Sequence, residues 1–191
     1  MKAKAQTIMR SCGITSRGFT LIELMITLVI LAIVITIGVP SFNDFIASQR
    51  VRTTASDLMA DMAFARAEAI KESRRVVMER LSGATSTWKD GWNICVDLDG
   101  NNACSAGEVR KSATPLSGRT KMCATTAELN DSIIFRPDGR IVRTTAVAAT
   151  DGILISDDFD DTNTGNNRAR LVYLGVSGRP SVEIQDGGAA C

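Results

Sequence analysis

The chain has 191 residues, with 22 lysines and arginines against 21 acids, a formal net charge of +1 and no histidine. That length allows one domain with a real core plus an anchoring segment. Without histidine there is no Ser-His-Asp or Cys-His nucleophile and no His-rich zinc site; a Walker A loop and a G-x-S-x-G motif are also missing.

The basic residues Lys2, Lys4, Arg10 and Arg17 lie in residues 1–18, which hold no acid. The remainder carries 18 basic against 21 acidic side chains, a net −3. A basic segment ahead of an apolar span stays cytoplasmic, so everything after Pro40 is expected across the membrane. The acidic remainder argues against a globally basic nucleic-acid binder. Cys12 precedes the apolar region, which does not fit a lipoprotein site.

Phe19 to Val39 are 21 residues with one charge, Glu23. As a helix they are long enough to span a bilayer. A carboxylate in hydrocarbon is costly and needs a partner. An ordinary signal peptide has its small-residue cleavage site after the apolar region. Here the small residue, Gly18, comes before it. A cut between Gly18 and Phe19 would remove the leader and leave a permanent apolar helix; the other reading is an uncleaved single-span anchor. Gly38 and Pro40 are expected to kink or open the helix.

Beyond Pro40, Val51, Ala55, Leu58, Met62, Ala65 and Ala69 recur at steps of four and three, an apolar stripe along one helical face. The pattern predicts a helix from Phe19 to about Ser73, roughly 80 Å long. From Arg74 onward, short alternating runs broken by Gly, Asn and Asp predict strands. They are Arg75–Glu79, Gly91–Asp97, Glu108–Lys111, Ser132–Phe135, Arg140–Arg143, Gly152–Ser156, Ala169–Gly175 and Arg179–Ile184. "RPDGR", residues 136–140, reads as a hairpin turn. The expected class is α+β, one long helix packed on antiparallel sheet. Trp92 alternates with Ile94 and Val96 and reads as core.

Cys95, Cys104, Cys123 and Cys191 are candidates for two disulfides in a translocated domain. A local Cys95–Cys104 bridge would leave Cys123 for Cys191, but three connectivities remain open. "DLDGNNACSAGE", residues 97–108, has acids and amides spaced like a calcium loop. It places Asn102 where the EF-hand needs glycine, and a solvated hairpin loop is the favoured reading. "DDFDDTNTGNN", residues 157–167, reads as an exposed connection. No metal or cofactor is expected.

"RGFTLIE", the apolar run after it and "GVPSF" at residues 38–42 resemble the type IV pilin-like proteins. "RAEAIKESRRVVM", "WKDGWNICVDLDG", "IIFRPDGR" and "RLVYLGVSGRPSV" resemble the GspH/FimT/FimU branch of that family, which comprises minor pilins and pseudopilins. The resemblance implies a structural protein, not an enzyme. It implies a cleaved leader (1–18), a transmembrane and filament-core helix segment (19–40), the second half of the long helix (41–73) and a periplasmic β-rich head (74–191). Prepilin peptidase would cut after Gly18, and Phe19 would be N-methylated. In the filament core Glu23 would pair with the new amine of a neighbouring subunit and help set register, since a buried charge is tolerable when paired. The implied partners are major and minor pilins, the peptidase and the inner membrane. The implied role is a minor pilin of the initiation or tip complex, supporting pilus biogenesis and twitching motility; the alternative is a type II secretion pseudopilin. Some FimT-type members bind DNA during natural transformation and carry a Gly-Arg-x-Arg motif. Gly178 and Arg179 match it, Ser181 replaces its second arginine, and Arg168, Arg170 and Arg179 are the candidate DNA contacts; a turn or strand-edge arginine with only structural contacts is the favoured reading.

Overall fold

The computed structural model describes residues 18–81, 87–116, 119–143, 151–157, 169–175 and 177–185, apart from the side chains of residues 37–41 and 44. The chain divides into two compact units, Met1–Phe42 and Asn43–Cys191.

One α-helix, α1, runs Leu21–Glu72 and belongs to both units. Thr20 starts it: its hydroxyl accepts the Glu23 amide at 3.3 Å and its carbonyl accepts the Leu24 amide at 3.2 Å. Ser73 ends it with φ +52°, the left-handed conformation that closes many helices. The expected stripe is the buried face, with Val51, Ala55, Leu58, Met62, Ala65 and Ala69 each 2% exposed or less.

In the second unit α1 is followed by eight strands: β1 (Val76–Arg80), β2 (Trp92–Val96), β3 (Val109–Ser112), β4 (Thr120–Ala124), β5 (Ser132–Phe135), β6 (Gly152–Asp157), β7 (Ala169–Leu174) and β8 (Pro180–Gln185). They form two four-stranded antiparallel sheets, ordered β3-β2-β1-β5 and β4-β6-β7-β8. Two features differ from expectation. Arg140–Arg143 is not a strand: after the Arg136–Arg140 turn the chain makes a single bridge, Ile141 to Phe135. And β4, "TKMCA", is a strand outside the expected set, with Thr120 its one β-branched residue. It takes its conformation from pairing with β6 and from Met122, which is fully buried.

A single core joins α1 to both sheets. Val76, Met78, Trp92, Ile94 and Phe135 come from the first sheet, and Met122, Ile153, Ile155, Val172 and Leu174 from the second. Trp88 belongs to it as well; its indole N–H donates to the Leu129 carbonyl at 2.8 Å. A polar link between α1 and the first sheet lies within this core. Asp61, on α1, is 5% exposed and accepts the Trp92 indole N–H at 2.9 Å. Its other oxygen accepts from Lys111 on β3, whose ammonium lies 5.9 Å from the Phe64 ring centre. A buried carboxylate must be satisfied on both oxygens, which ties helix and sheet together at one register.

Replacing Asp61 with leucine leaves the Trp92 N–H buried without an acceptor and is expected to cost about 2 kcal/mol. Asp61→Asn keeps an acceptor and gives up only a pair with a half-exposed lysine, about 1 kcal/mol or less. Urea unfolding followed by tryptophan fluorescence measures both; equal losses would contradict the link described here.

Candidate assembly surface and processing site

The first residues of α1 combine a cap, a carboxylate and an apolar wall. Thr20-Leu-Ile-Glu23 has the capping-box spacing, threonine at the cap and glutamate three residues on. The hydroxyl-to-amide half of the box is present. Glu23 also lies in the first turn, where a negative charge suits the helix dipole. The box is legible in "TLIE" and gives Glu23 a local role beside any role in assembly.

The wall is the more telling feature. Phe19 is 79% exposed, Leu21 78% and Ile35 50%, and the large apolar residues between them are all exposed. Thr27 and Thr36, the polar residues of the run after Glu23, donate their hydroxyls to backbone carbonyls at 2.8 Å, of Leu24 and Ile33 respectively. The surface of this segment is therefore almost wholly hydrocarbon. Among the described residues no helix is long and apolar enough to cross a membrane. The described side chains of the run stop at Thr36, short of the twenty or so residues a crossing takes. Pro40 lies within α1, with its side chain outside the described residues.

In the head, Cys95 and Cys104 are disulfide-bonded. Cys123 is disulfide-bonded too; Cys191, like Cys12, lies outside the described residues. The bonded loop is the expected solvent-facing hairpin connection between the antiparallel β2 and β3, and only its two end carboxylates are buried. Asp97 and Glu108 are 5% and 4% exposed, and both oxygens of each accept backbone amides. Asp97 takes Gly100 at 2.7 Å and Asn102 at 3.2 Å; Glu108 takes Leu98 at 2.7 Å and Ser105 at 2.9 Å. Carboxylate oxygens of Asp97, Asp99 and Glu108 approach within 4.8 Å of one another. What the geometry shows is a loop capped by its own carboxylates. The Cys104 amide donates to Glu79 at 2.9 Å, and its sulfur lies 3.8 Å from the Val77 carbonyl. The bridge thus holds the loop over Val77 and Cys95, on the face of β1 and β2 turned away from Met78 and Ile94.

The arginines considered for DNA do not gather on one exposed surface. Arg168 lies outside the described residues. Arg170 shares the inward face of β7 with Val172 and is 9% exposed. Burial, and then nearby Arg52, lower its pKa. Arg179 is exposed. Gly178 has a packing reason: with φ +70°, a Cβ there would come 2.2 Å from the Gly139 carbonyl oxygen. The "RPDGR" turn that holds Gly139 is itself docked on α1, where Arg66 donates to that carbonyl at 2.9 Å.

The prokaryotic N-terminal methylation motif matches residues 15–39. The family described as Type II transport protein GspH matches residues 54–178, well over half of the chain. The chain belongs to the GspH family. Two crystal structures of the type IV minor pilin FimU from Pseudomonas aeruginosa (strain PAO1) share its fold. One, in space group P65, has a TM-score of 0.52 and 18% identity over 69% of this chain and 91% of that one. The other, in space group P21, has a TM-score of 0.56 and 16% identity over 77% and 98%. At these identities the likeness is one of fold. No curated protein matches the chain. The chain is thus a GspH-family pilin-like protein that carries the N-terminal methylation motif and has a fold shared with FimU. Such proteins are anchored in the inner membrane with a periplasmic head and assemble with other pilins.

Exchanging both Cys95 and Cys104 for serine frees a loop closed over a separation of nine residues. The expected loss is about 2 kcal/mol, measured by thermal unfolding under oxidising conditions. An unchanged midpoint would show that the carboxylate caps hold the loop without the bridge.

Proposed function

We propose that this GspH-family chain is a minor pilin of a type IV pilus initiation or tip complex, serving pilus biogenesis and twitching motility. The observation that carries the reading is the uncovered hydrocarbon surface of α1. It begins at the Gly18–Phe19 bond and lies within the residues matched by the methylation motif. Prepilin peptidase cuts that bond, Phe19 is N-methylated, and the basic leader is lost. The subunit then waits in the inner membrane with its head in the periplasm. It leaves when neighbouring pilins replace lipid around residues 19–40. Glu23 pairs with the Phe19 amine of a neighbour, which offsets the cost of burying the carboxylate, and Pro40 lets the helix adjust as it packs. In the head, Cys123 pairs with Cys191 and ties down the last residue.

A second reading, the type II secretion pseudopilin, draws on the description of the matched family. The same processed subunit would then remain with a short pseudopilus. Deleting the gene separates the two: loss of piliation and twitching supports the pilin, and loss of protein export with normal pili supports the pseudopilin.

The pairing of Glu23 can be separated from its capping. Glu23→Gln retains a side chain that completes a capping box but carries no charge. Glu23→Gln and Glu23→Ala are both expected to insert into the membrane normally and to fall severalfold in sheared pili, as read by immunoblot. Normal incorporation of the glutamine variant would refute the ion pair and leave Glu23 a helix cap.

A further inference from the structure

Met122, Ile153, Ile155, Val172 and Leu174 turn one face of the second sheet toward the shared core. Successive side chains of a strand point to opposite faces, so Cys123, Leu154 and Leu171 stand on the other one. The register sets Cys123 opposite Leu154, Leu154 opposite Leu171 and Leu171 opposite Glu183, a single row across all four strands. Leu154 and Leu171 are 4% and 3% exposed, yet neither belongs to the core that joins α1 to both sheets. Their burial requires a cover on the outer face. The first sheet meets the same need at Val77 with the Cys95–Cys104 loop.

The end of the chain has the reach, the side chains and the bond to cover the second. Strand β8 ends at Gln185, six residues before Cys191, and residues 186–191 lie outside the described residues. Strands β8 and β4 are the two edges of the sheet, three strand spacings apart. At about 4.8 Å each, with about 7 Å along the strand from the Gln185 position back to the Cys123 row, the direct line is roughly 16 Å. Six extended residues reach about 20 Å, and a disulfide spans about 5.5 Å more between Cα atoms. Once the rise over the side chains is included, a path straight across the outer face uses most of this length. Asp186, Gly187 and Gly188 are turn residues that can bend the chain onto that face. From Gly187 to Ala190 no side chain is larger than a methyl, which lets the backbone lie close on the two leucines. Cys123 is disulfide-bonded, and Cys95 and Cys104 are bonded to each other. We infer that residues 186–191 form a strap across the outer face of the second sheet, covering Leu171 and Leu154 and fastened to Cys123 by Cys191. The strap rests on the Cys123–Cys191 pairing proposed above and not on the place of the chain in a filament. It makes the cover of the second sheet depend on the last residue of the chain and on an oxidising compartment.

The test is methyl NMR of the full chain in detergent micelles, with alanine and leucine methyls labelled, alongside mass mapping of the disulfides. The expected result is a Cys123–Cys191 peptide and nuclear Overhauser contacts from Ala189 and Ala190 to Leu154 and Leu171. Cys191→Ser is expected to lose those contacts. A Cys123–Cys191 peptide without the contacts would overturn the strap and leave the pairing standing. Cys123 bonded to any other cysteine would overturn both. Contacts to the leucines from residues 158–168 instead would assign the cover to the connection between β6 and β7, which also overturns the strap. Contacts that persist unchanged in Cys191→Ser would overturn the fastening. If the serine variant does not fold, the contacts in the unmodified chain decide.

Discussion

The first half of α1 has to be covered by something other than its own chain. A run from Phe19 to Ile35 whose large apolar side chains are all at least half exposed cannot face water without a large hydrophobic cost. A single helix has no core of its own in which to hide them. Two environments satisfy it, lipid and a bundle of similar helices. A subunit that passes from one to the other loses little apolar burial on the way. Under the assembly proposed above, Glu23 would distinguish the two environments: in lipid a carboxylate is a burden, and beside a neighbour's amine it would serve as a register mark.

The second unit, from Asn43 onward, meets its own needs differently. The stripe from Val51 to Ala69 is closed by two sheets, and Asp61 fixes where α1 lies across the first of them. Buried polar groups of this kind define register more than they add stability. On the far side of the first sheet, the Cys95–Cys104 loop covers Val77, with Asp97 and Glu108 taking up its backbone amides. Two of the loop's carboxylates are thus buried as caps on its own backbone, while the residues between them face solvent.

Much of this was legible from residues alone, and the misses have physical causes. The stripe was readable because helical periodicity repeats many times over one long element. Seven of the strands carry alternation or several β-branched or aromatic residues, as in "SIIF" and "ARLVYL"; β4 has only Thr120 of that kind, and its pairing with β6 makes it a strand. The split into two sheets depends on long-range pairing that no local pattern encodes. Of the site residues, Glu23 stands out because a charge in an apolar run is conspicuous, and the capping box around it is spelled by "TLIE". Arg170 looked like an exposed cation by type, yet its place on the inward face of β7 follows from its register opposite Ile155.

The central claim is that this chain is cut at Gly18–Phe19 and enters a filament through the helix that follows. Intact mass spectrometry of sheared pili from the native host tests it most directly. The account predicts a chain that begins at Phe19, carries one methyl group on its amine and is lighter by the hydrogens of two disulfides. Pili holding a chain that retains residues 1–18, or one that begins at any other residue, would contradict it.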